Sequence, residues 1–417
     1  MSPIIELTVP HVYPNLSNAS LILNNKPKMR IYTCTPVDFK GDESFFARDS
    51  GLITRGLQKI GIESKSIMPG PVRAEDSSDL IRVPYSLLES VDWWKSQHIN
   101  TLVFYSWGAP RHWKIAKAIH KANIKLLVNL DTGGYFSTIQ NPFFLIKYTF
   151  FKTIGEFGIF KGVLLWAFRS LRDFFFPYHE FFRFTHCHQA DFLLAVSPLA
   201  LKRISRFFRS FHQEGLAERL RFVPHPVSDS ALYLGEPKSN TVIAVGRWTS
   251  ADWQKNPELH IRVLTAFLEK HPDYRAVIVG PVDTKFEFLA RSASESVRSR
   301  LILTGRLTNE QTLRLFAEAK ISVALTRHES FHIPTGEALC CGCSIVSYPS
   351  LMIPSMDYFM QNGDGTMASS YNFLSILKAL DAEVDLWQNG LRDPLLISSF
   401  WQKRLHSSQV AKIIAAF

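Results

Sequence analysis

The sequence predicts an α/β protein built from two doubly wound parallel-sheet domains facing a central cleft. Three observations carry this. Short apolar runs alternate with helical stretches along the chain, the order of a parallel α/β sheet. The runs are continuous rather than alternating, as strands covered on both faces require. One turn-rich segment, 225–240, breaks the alternation and reads as a linker.

In the first half the strand-like runs are 29–32, 64–68, 101–105, 125–129 and 192–196, with helical patterns at 50–59 and 110–122. In the second half the runs are 241–245, 276–279, 300–303, 321–324 and 344–347, with helices at 257–270 and 309–319. The expected domains are 1–232 and 233–400, followed by a C-terminal helix in 401–417 that packs back on the first domain. Ligands of such sheets bind beyond the carboxyl ends of the strands, so the loops after these runs are where chemistry is sought.

The length of 417 residues suits two or three domains of roughly 150 residues each. With 46% hydrophobic and 20% charged residues there is ample core, which excludes a disordered tail, a collagen-like fibre and a disulfide-stapled miniprotein. A net charge of +10 suggests an anionic partner: nucleic acid, a phosphorylated small molecule or an anionic membrane. Cysteines 34, 187, 340, 341 and 343 form no disulfide framework, and point to a reducing compartment. The tract Cys340-Cys341-Gly342-Cys343 is too compressed for tetrahedral zinc and reads as small buried residues in a helix-to-strand turn, with Gly342 ending the helix. Residues 1–20 lack the pattern of a signal peptide, and the charge-free runs 7–25 and 338–356 are each interrupted by two prolines.

Phenylalanine is concentrated. Residues 136–184 hold 14 of the 32, interleaved with six basic residues and three acids. A helix with aromatic and basic faces suits a membrane interface, with rings sinking and basic stems reaching headgroups. An enlarged core and a homodimer interface are the alternatives. The stretch 202–209, with Phe207 and Phe208, continues the pattern. No nucleic-acid-reading motif accompanies the basic charge.

The second half carries the chemistry. Gly246-Arg247-Trp248 follows the run 241–245, and Lys255 precedes the next helix. A fork-shaped cation and a point cation there suit a diphosphate. After the run 321–324 comes Arg327-His328-Glu329-Ser330-Phe331-His332-Ile333-Pro334-Thr335-Gly336-Glu337. A helix starting near Pro334 would turn its free amides toward this loop, an anion site, with Glu337 in its first turn. Gly305-Arg306-Leu307 forms a further strand–turn–helix junction.

As an ordered set these motifs resemble the retaining nucleotide-sugar glycosyltransferases of family 4, of the GT-B fold. The match is Gly-Arg-Trp with a downstream Lys, then Leu-Thr-Gly-Arg-Leu, then the Glu-x7-Glu segment from Glu329 to Glu337 with its Cys-Cys-Gly-Cys tail, over about 240–350. The resemblance implies that Arg247 and Lys255 hold the donor diphosphate and stabilise the leaving nucleotide. It implies Glu329 beside the transferred sugar, the backbone of Phe331, His332 and Ile333 at the distal phosphate, and Glu337 on the ribose. Gly246 and Ser330 belong to the same donor site. Fixed cations and amides would stabilise the charge that develops on the leaving group. No metal and no other cofactor is then required, and front-face attack would retain configuration, the departing phosphate taking the acceptor's proton. The sequence departs from the family at His332, where glycine is frequent.

In the first half, Asp131 in Leu130-Asp131-Thr132-Gly133-Gly134 is the candidate for acceptor or sugar contact. Asp49, Ser50 and Gly51 would border the donor or acceptor site, and Ser197 and His225 read as cleft-facing loops. The expectation is a cytoplasmic, membrane-peripheral transferase moving a hexose from a nucleoside-diphosphate sugar to a lipid-linked or cell-surface glycan, with no nucleic-acid partner. A soluble acceptor, or a non-catalytic sugar-nucleotide-binding scaffold, are the alternatives.

Overall fold

A computed structural model describes residues 29–417 except 136, 138, 139, 141, 176, 177 and 251, without the side chains of 49, 142–148, 172–175, 178 and 179. The expectations for 1–20 and for the run 7–25 lie outside the described residues.

Among the described residues there are two parallel sheets. The first contains β1 (Ile31–Cys34), β2 (Ser66–Pro69), β3 (Leu80–Val83), β4 (Thr101–Tyr105), β5 (Lys125–Asn129), β6 (Phe192–Ala195) and β7 (Leu220–Phe222), in the order β3-β2-β1-β4-β5-β6-β7. The second contains β8 (Ser239–Val245), β9 (Arg275–Val279), β10 (Leu301–Gly305), β11 (Ala319–Ala324), β12 (Ser344–Ser347) and β13 (Gly365–Met367), in the order β10-β9-β8-β11-β12-β13. Every run expected from sequence is a strand. The strands it missed, β3, β7 and β13, lie at sheet edges, where half-exposed residues leave no continuous apolar run.

Both faces of the first sheet are covered, so alternate residues of one strand enter different cores. Leu102 and Phe104 join a cluster with Trp94, Ile119 and Phe208, while Val103 and Tyr105 join one with Ile31, Leu57, Val410 and Ile414. The second cluster is sealed by helices Asp49–Lys59 and Ser407–Ala415, so the last helix of the chain covers a face of the first sheet. The crossing back is held where Val227 N donates to Leu405 O (2.7 Å) and Ser407 N to Val227 O (2.9 Å).

The cysteine tract is structural. Cys340, Cys341 and Cys343 are fully buried, and Gly342 takes a left-handed φ of 77° just past the helix end. Half-buried Lys238 donates to Phe316 O, Ala317 O and Cys341 O, closing the carboxyl ends of two helices.

The Phe-rich stretch divides. Phe184 packs on Phe207, Phe208 and Phe211 in the first core. The stretch 202–209 therefore does not continue a membrane-facing pattern: Phe207 and Phe208 are buried, the inward face of helix Pro198–Ser210. Upstream, helices Pro142–Phe157 and Ile159–Phe175 form a hairpin that leaves Ile159, Phe160, Leu164, Phe168 and Leu171 exposed. No helix among the described residues is long and apolar enough to cross a membrane.

Candidate active site

The cation loop after β8 is held from beneath. Trp248 is buried and its indole donates to Val279 O (2.8 Å). The chain makes a 3-10 turn, Trp253–Lys255, and enters helix Pro257–Lys270 through Asn256 at a left-handed φ of 51°. Asn256 offsets that strain by donating from Nδ2 to Leu325 O (3.0 Å). His260 closes the loop: Leu325 N donates to its Nε2 (3.0 Å), so its proton sits on Nδ1, bonded to Asn256 O (3.1 Å). Burial lowers the His260 pKa to about 4, which keeps the ring neutral. The result places Lys255 Nζ against Glu329 Oε1, a pair separated by 74 residues, with both side chains about one-eighth exposed. Arg247 is half-exposed and bonds Asp252 through Nε (2.9 Å).

The Glu329 loop is anchored by Glu329 N to Met352 O (2.9 Å) and by Gln254 Nε2 to His328 O (2.9 Å). Helix Ile333–Cys340 starts one residue before Pro334, with His332 at its cap. His332 is buried, bonds Thr335 Oγ1 through Nδ1 (2.7 Å), and is held far below the usual imidazole range by burial and by the charge of Lys255. A side chain thus fills the place where glycine was the family expectation. Phe331 is buried against His225 and Phe359, so its ring anchors the loop. Glu337 is not in the first turn, as the sequence suggested, because the helix begins earlier; it is the fifth residue. It is buried and accepts from Asn309 Nδ2 (2.8 Å), yet burial outweighs that bond and raises its pKa to about 7.

From the first domain, Asp131 reaches this loop. It follows β5, with its own N–H on Asn129 Oδ1 (2.8 Å). Its Oδ1 accepts from Ser330 Oγ across the cleft (2.6 Å) and meets His225 Nε2 (2.7 Å), and its Oδ2 accepts from Trp107 Nε1 (3.3 Å). Burial alone would raise its pKa; the His225 ring and these hydrogen bonds outweigh burial and lower it. Arg203 donates both to Gly133 O (2.8 Å) and to Leu351 O (2.7 Å), tying the Asp131 loop to the loop after β12 that also accepts from Glu329 N.

Asp131, Lys255, Glu329 and Ser330 are therefore gathered at one place, and Phe331, His332 and Ile333 follow in the same loop and helix start. Ser50 and Gly51 are not part of it. Ser50 is buried and bonds Thr35 Oγ1 at the end of β1 (2.8 Å), and a Cβ on Gly51 would lie 2.5 Å from Phe45 O. The side chain of Asp49 lies outside the described residues. Ser197 is a buried helix cap, accepting from Ala200 N, rather than a cleft loop. Trp107 and Arg203 were not singled out from sequence: Trp107 carries no motif, and Arg203 sits in a basic run whose members look alike until the fold separates them. A cavity of about 750 Å³ opens beyond the ends of β1, β2 and β3, between Pro36, Pro69, Pro84 and Tyr85.

Two parallel α/β sheets facing one cleft, with a cation–carboxylate pair on one side and a carboxylate on the other, define a GT-B fold. Residues 234–382, within the second domain, match the family "Glycosyl transferases group 1". A tRNA-queuosine alpha-mannosyltransferase of Drosophila melanogaster is 27% identical over 114 residues, 26% of this chain and 28% of that protein's length. In fold the chain is similar to Anabaena HepE solved with UDP (TM-score 0.60, 12% identity, 93% of this chain and 99% of that one). It is equally similar to the lipopolysaccharide outer core galactosyltransferase WaaB (TM-score 0.60, 12% identity, 93% and 100%).

Proposed function

We propose that this protein is a retaining glycosyltransferase that moves a hexose from a nucleoside-diphosphate sugar to a lipid-linked or cell-surface glycan. The observation that carries the reading is the Lys255–Glu329 pair, set at the head of helix Ile333–Cys340 and facing Asp131. In this reading donor diphosphate takes Lys255 from Glu329 and Arg247 from Asp252. Fixed cations and the first amides of the helix then meet the charge that grows on the leaving phosphate. Glu329, released, accepts from the hydroxyls of the transferred sugar, and Glu337 from the ribose. The departing phosphate accepts the acceptor's proton, so attack and departure share one face and configuration is retained. Positive charge comes from Arg247 and Lys255, and the mechanism assigns no role to a metal.

Asp131 is assigned to the acceptor or the transferred sugar, held by His225 and Trp107. β1 lies two strands from β5, roughly 10 Å at ordinary strand spacing. An extended acceptor reacting at Asp131 would therefore reach the proline-walled cavity with its far end. The exposed apolar face of the hairpin favours an acceptor borne on a membrane, with the enzyme at its cytoplasmic face. The mannosyltransferase relative and the UDP complex of HepE name different chemistries, so the donor is sought by experiment.

A thermal-shift panel of nucleoside diphosphates and their sugars tests the reading. One base should raise the melting temperature by mass action, and Lys255→Ala should abolish the shift. Glu329→Ala should lower transfer by about 100-fold or more. A folded protein that responds to no diphosphate, or whose transfer is indifferent to both substitutions, would sink it.

A further inference from the structure

We infer that the Phe-rich hairpin is a docking element for an anionic lipid surface and that docking tightens the donor site through a direct contact with the Lys255 turn. The inference rests on the transferase reading for what binds at Lys255.

The outer face comes first. On helix Ile159–Phe175, Phe160, Leu164, Phe168 and Leu171 follow one another at spacings of four, four and three, one side of a helix. Phe160 is 86% exposed and Phe168 69%. The cations beside them are fixed: Lys161 and Arg169 both lie over the Phe157 ring, at 5.8 and 6.0 Å. An apolar stripe flanked by cations, on a chain of net charge +10, is complementary to anionic headgroups over acyl chains.

The inner face leads to the site. The two hairpin helices cross where Gly162 meets Ile154; a Cβ there would lie 2.7 Å from Ile154 Cα. The adjacent Gly155 faces the other domain, and a Cβ on it would lie 2.6 Å from Trp253 Cδ1. Trp253 opens the turn that ends in Lys255. Arg327 stacks on the Trp253 ring (4.9 Å) and donates to its carbonyl (2.7 Å), joining this turn to the Glu329 loop. Lys152, one turn before Glu156, is close enough to help push His328 to a pKa of about 4, after burial. The contact thus runs unbroken from the exposed stripe, through two glycine-tight crossings, to the cation that meets the diphosphate. Pinning this element at a surface would raise the fraction of protein with Lys255 in place, and so the apparent affinity.

The test measures UDP and GDP binding by calorimetry with phosphatidylcholine vesicles, with and without phosphatidylglycerol, alongside vesicle flotation. The wild type should float on the anionic vesicles, and the diphosphate it binds should bind about fivefold or more tighter there. By linkage, that diphosphate should strengthen flotation by the same factor. The triple variant Phe160→Ser, Leu164→Ser, Phe168→Ser should keep the vesicle-free affinity and lose both effects. Gly155→Ala should float and lose only the tightening. Affinity that is identical with and without anionic vesicles overturns the coupling and leaves the transferase reading standing. Protein that floats but binds neither these nor any other nucleoside diphosphate overturns both. Flotation unchanged in the triple variant, or a dimer in sedimentation that the triple variant dissolves, overturns the docking face.

Discussion

Glu337 shows how burial sets the behaviour of a single group. Its folded pKa of about 7 stands above the ordinary carboxyl value of 4.5. The folded state therefore holds this proton more tightly than the unfolded chain. Its contribution is fully present below about 4.5 and is lost as pH rises to about 7. The difference corresponds to roughly 3 kcal/mol, read as an order of magnitude. Wild-type stability in urea should fall across that window relative to Glu337→Gln, which cannot ionise; parallel pH profiles of the two proteins would refute the assignment. A donor ribose that hydrogen-bonds the carboxylate favours its ionised form, so ligand should shift the window downward.

His260 makes a related point about position. Its role is to bond Asn256 and Leu325 while neutral, and so to aim Lys255 without touching substrate. Sequence showed a histidine in an amphipathic helix and nothing more. Lys255, Glu329 and Glu337 were legible because each falls in a short motif beside a strand end or helix start, Lys255 after Gly-Arg-Trp and the two glutamates in one Glu-x7-Glu segment. Asp131 was legible as a polar residue after a strand, but its partner Ser330 is 199 residues away, and no local pattern encodes that distance.

At the scale of elements, strands and helices buried on regular faces were readable from periodicity, and of the four edge strands among the described residues only β10 was. Packing between elements depends on closer detail. Helix Asp49–Lys59 meets the last helix at Gly56, where a Cβ would lie 2.2 Å from Ser407 O. Backbone cannot yield as a side-chain tip can, so Gly56→Ala should cost about 1–3 kcal/mol. Limited proteolysis should then release the C-terminal helix before the rest of the chain unfolds. A melting temperature and a cleavage pattern like those of wild type would show that the helices can slide apart freely. The Phe-rich segment is the converse case. Composition marked it, yet Phe184, Phe207 and Phe208 serve a core while Phe160 and Phe168 face out.

For the whole molecule, the question is what holds two domains around one cleft. Besides the packing of the hairpin on Trp253, two contacts do so: the chain crossing at Val227, Leu405 and Ser407, and the polar junction of Asp131, Ser330 and Arg203. The crossing is backbone and persists through any hinge motion. The junction is made of side chains and can open. Asp131→Asn keeps the shape and removes the charge that His225 faces, a loss of about 1–3 kcal/mol at a charged hydrogen bond. The variant should show a larger donor-free radius of gyration in solution scattering and weaker nucleotide binding. Unchanged dimensions and affinity would mean that the junction does not hold the domains.

The sequence by itself determined the two parallel sheets, because burial on both faces demands continuous apolar runs. It also determined the order of the donor motifs, because a strand end, a turn and a helix start are neighbours in the chain. Only the tertiary structure decided that Asp131 meets Ser330, that Arg203 bridges both domains, and which phenylalanines face solvent. Those contacts join residues far apart in sequence. Their energy depends on which surfaces the fold brings together, a property that no single segment carries.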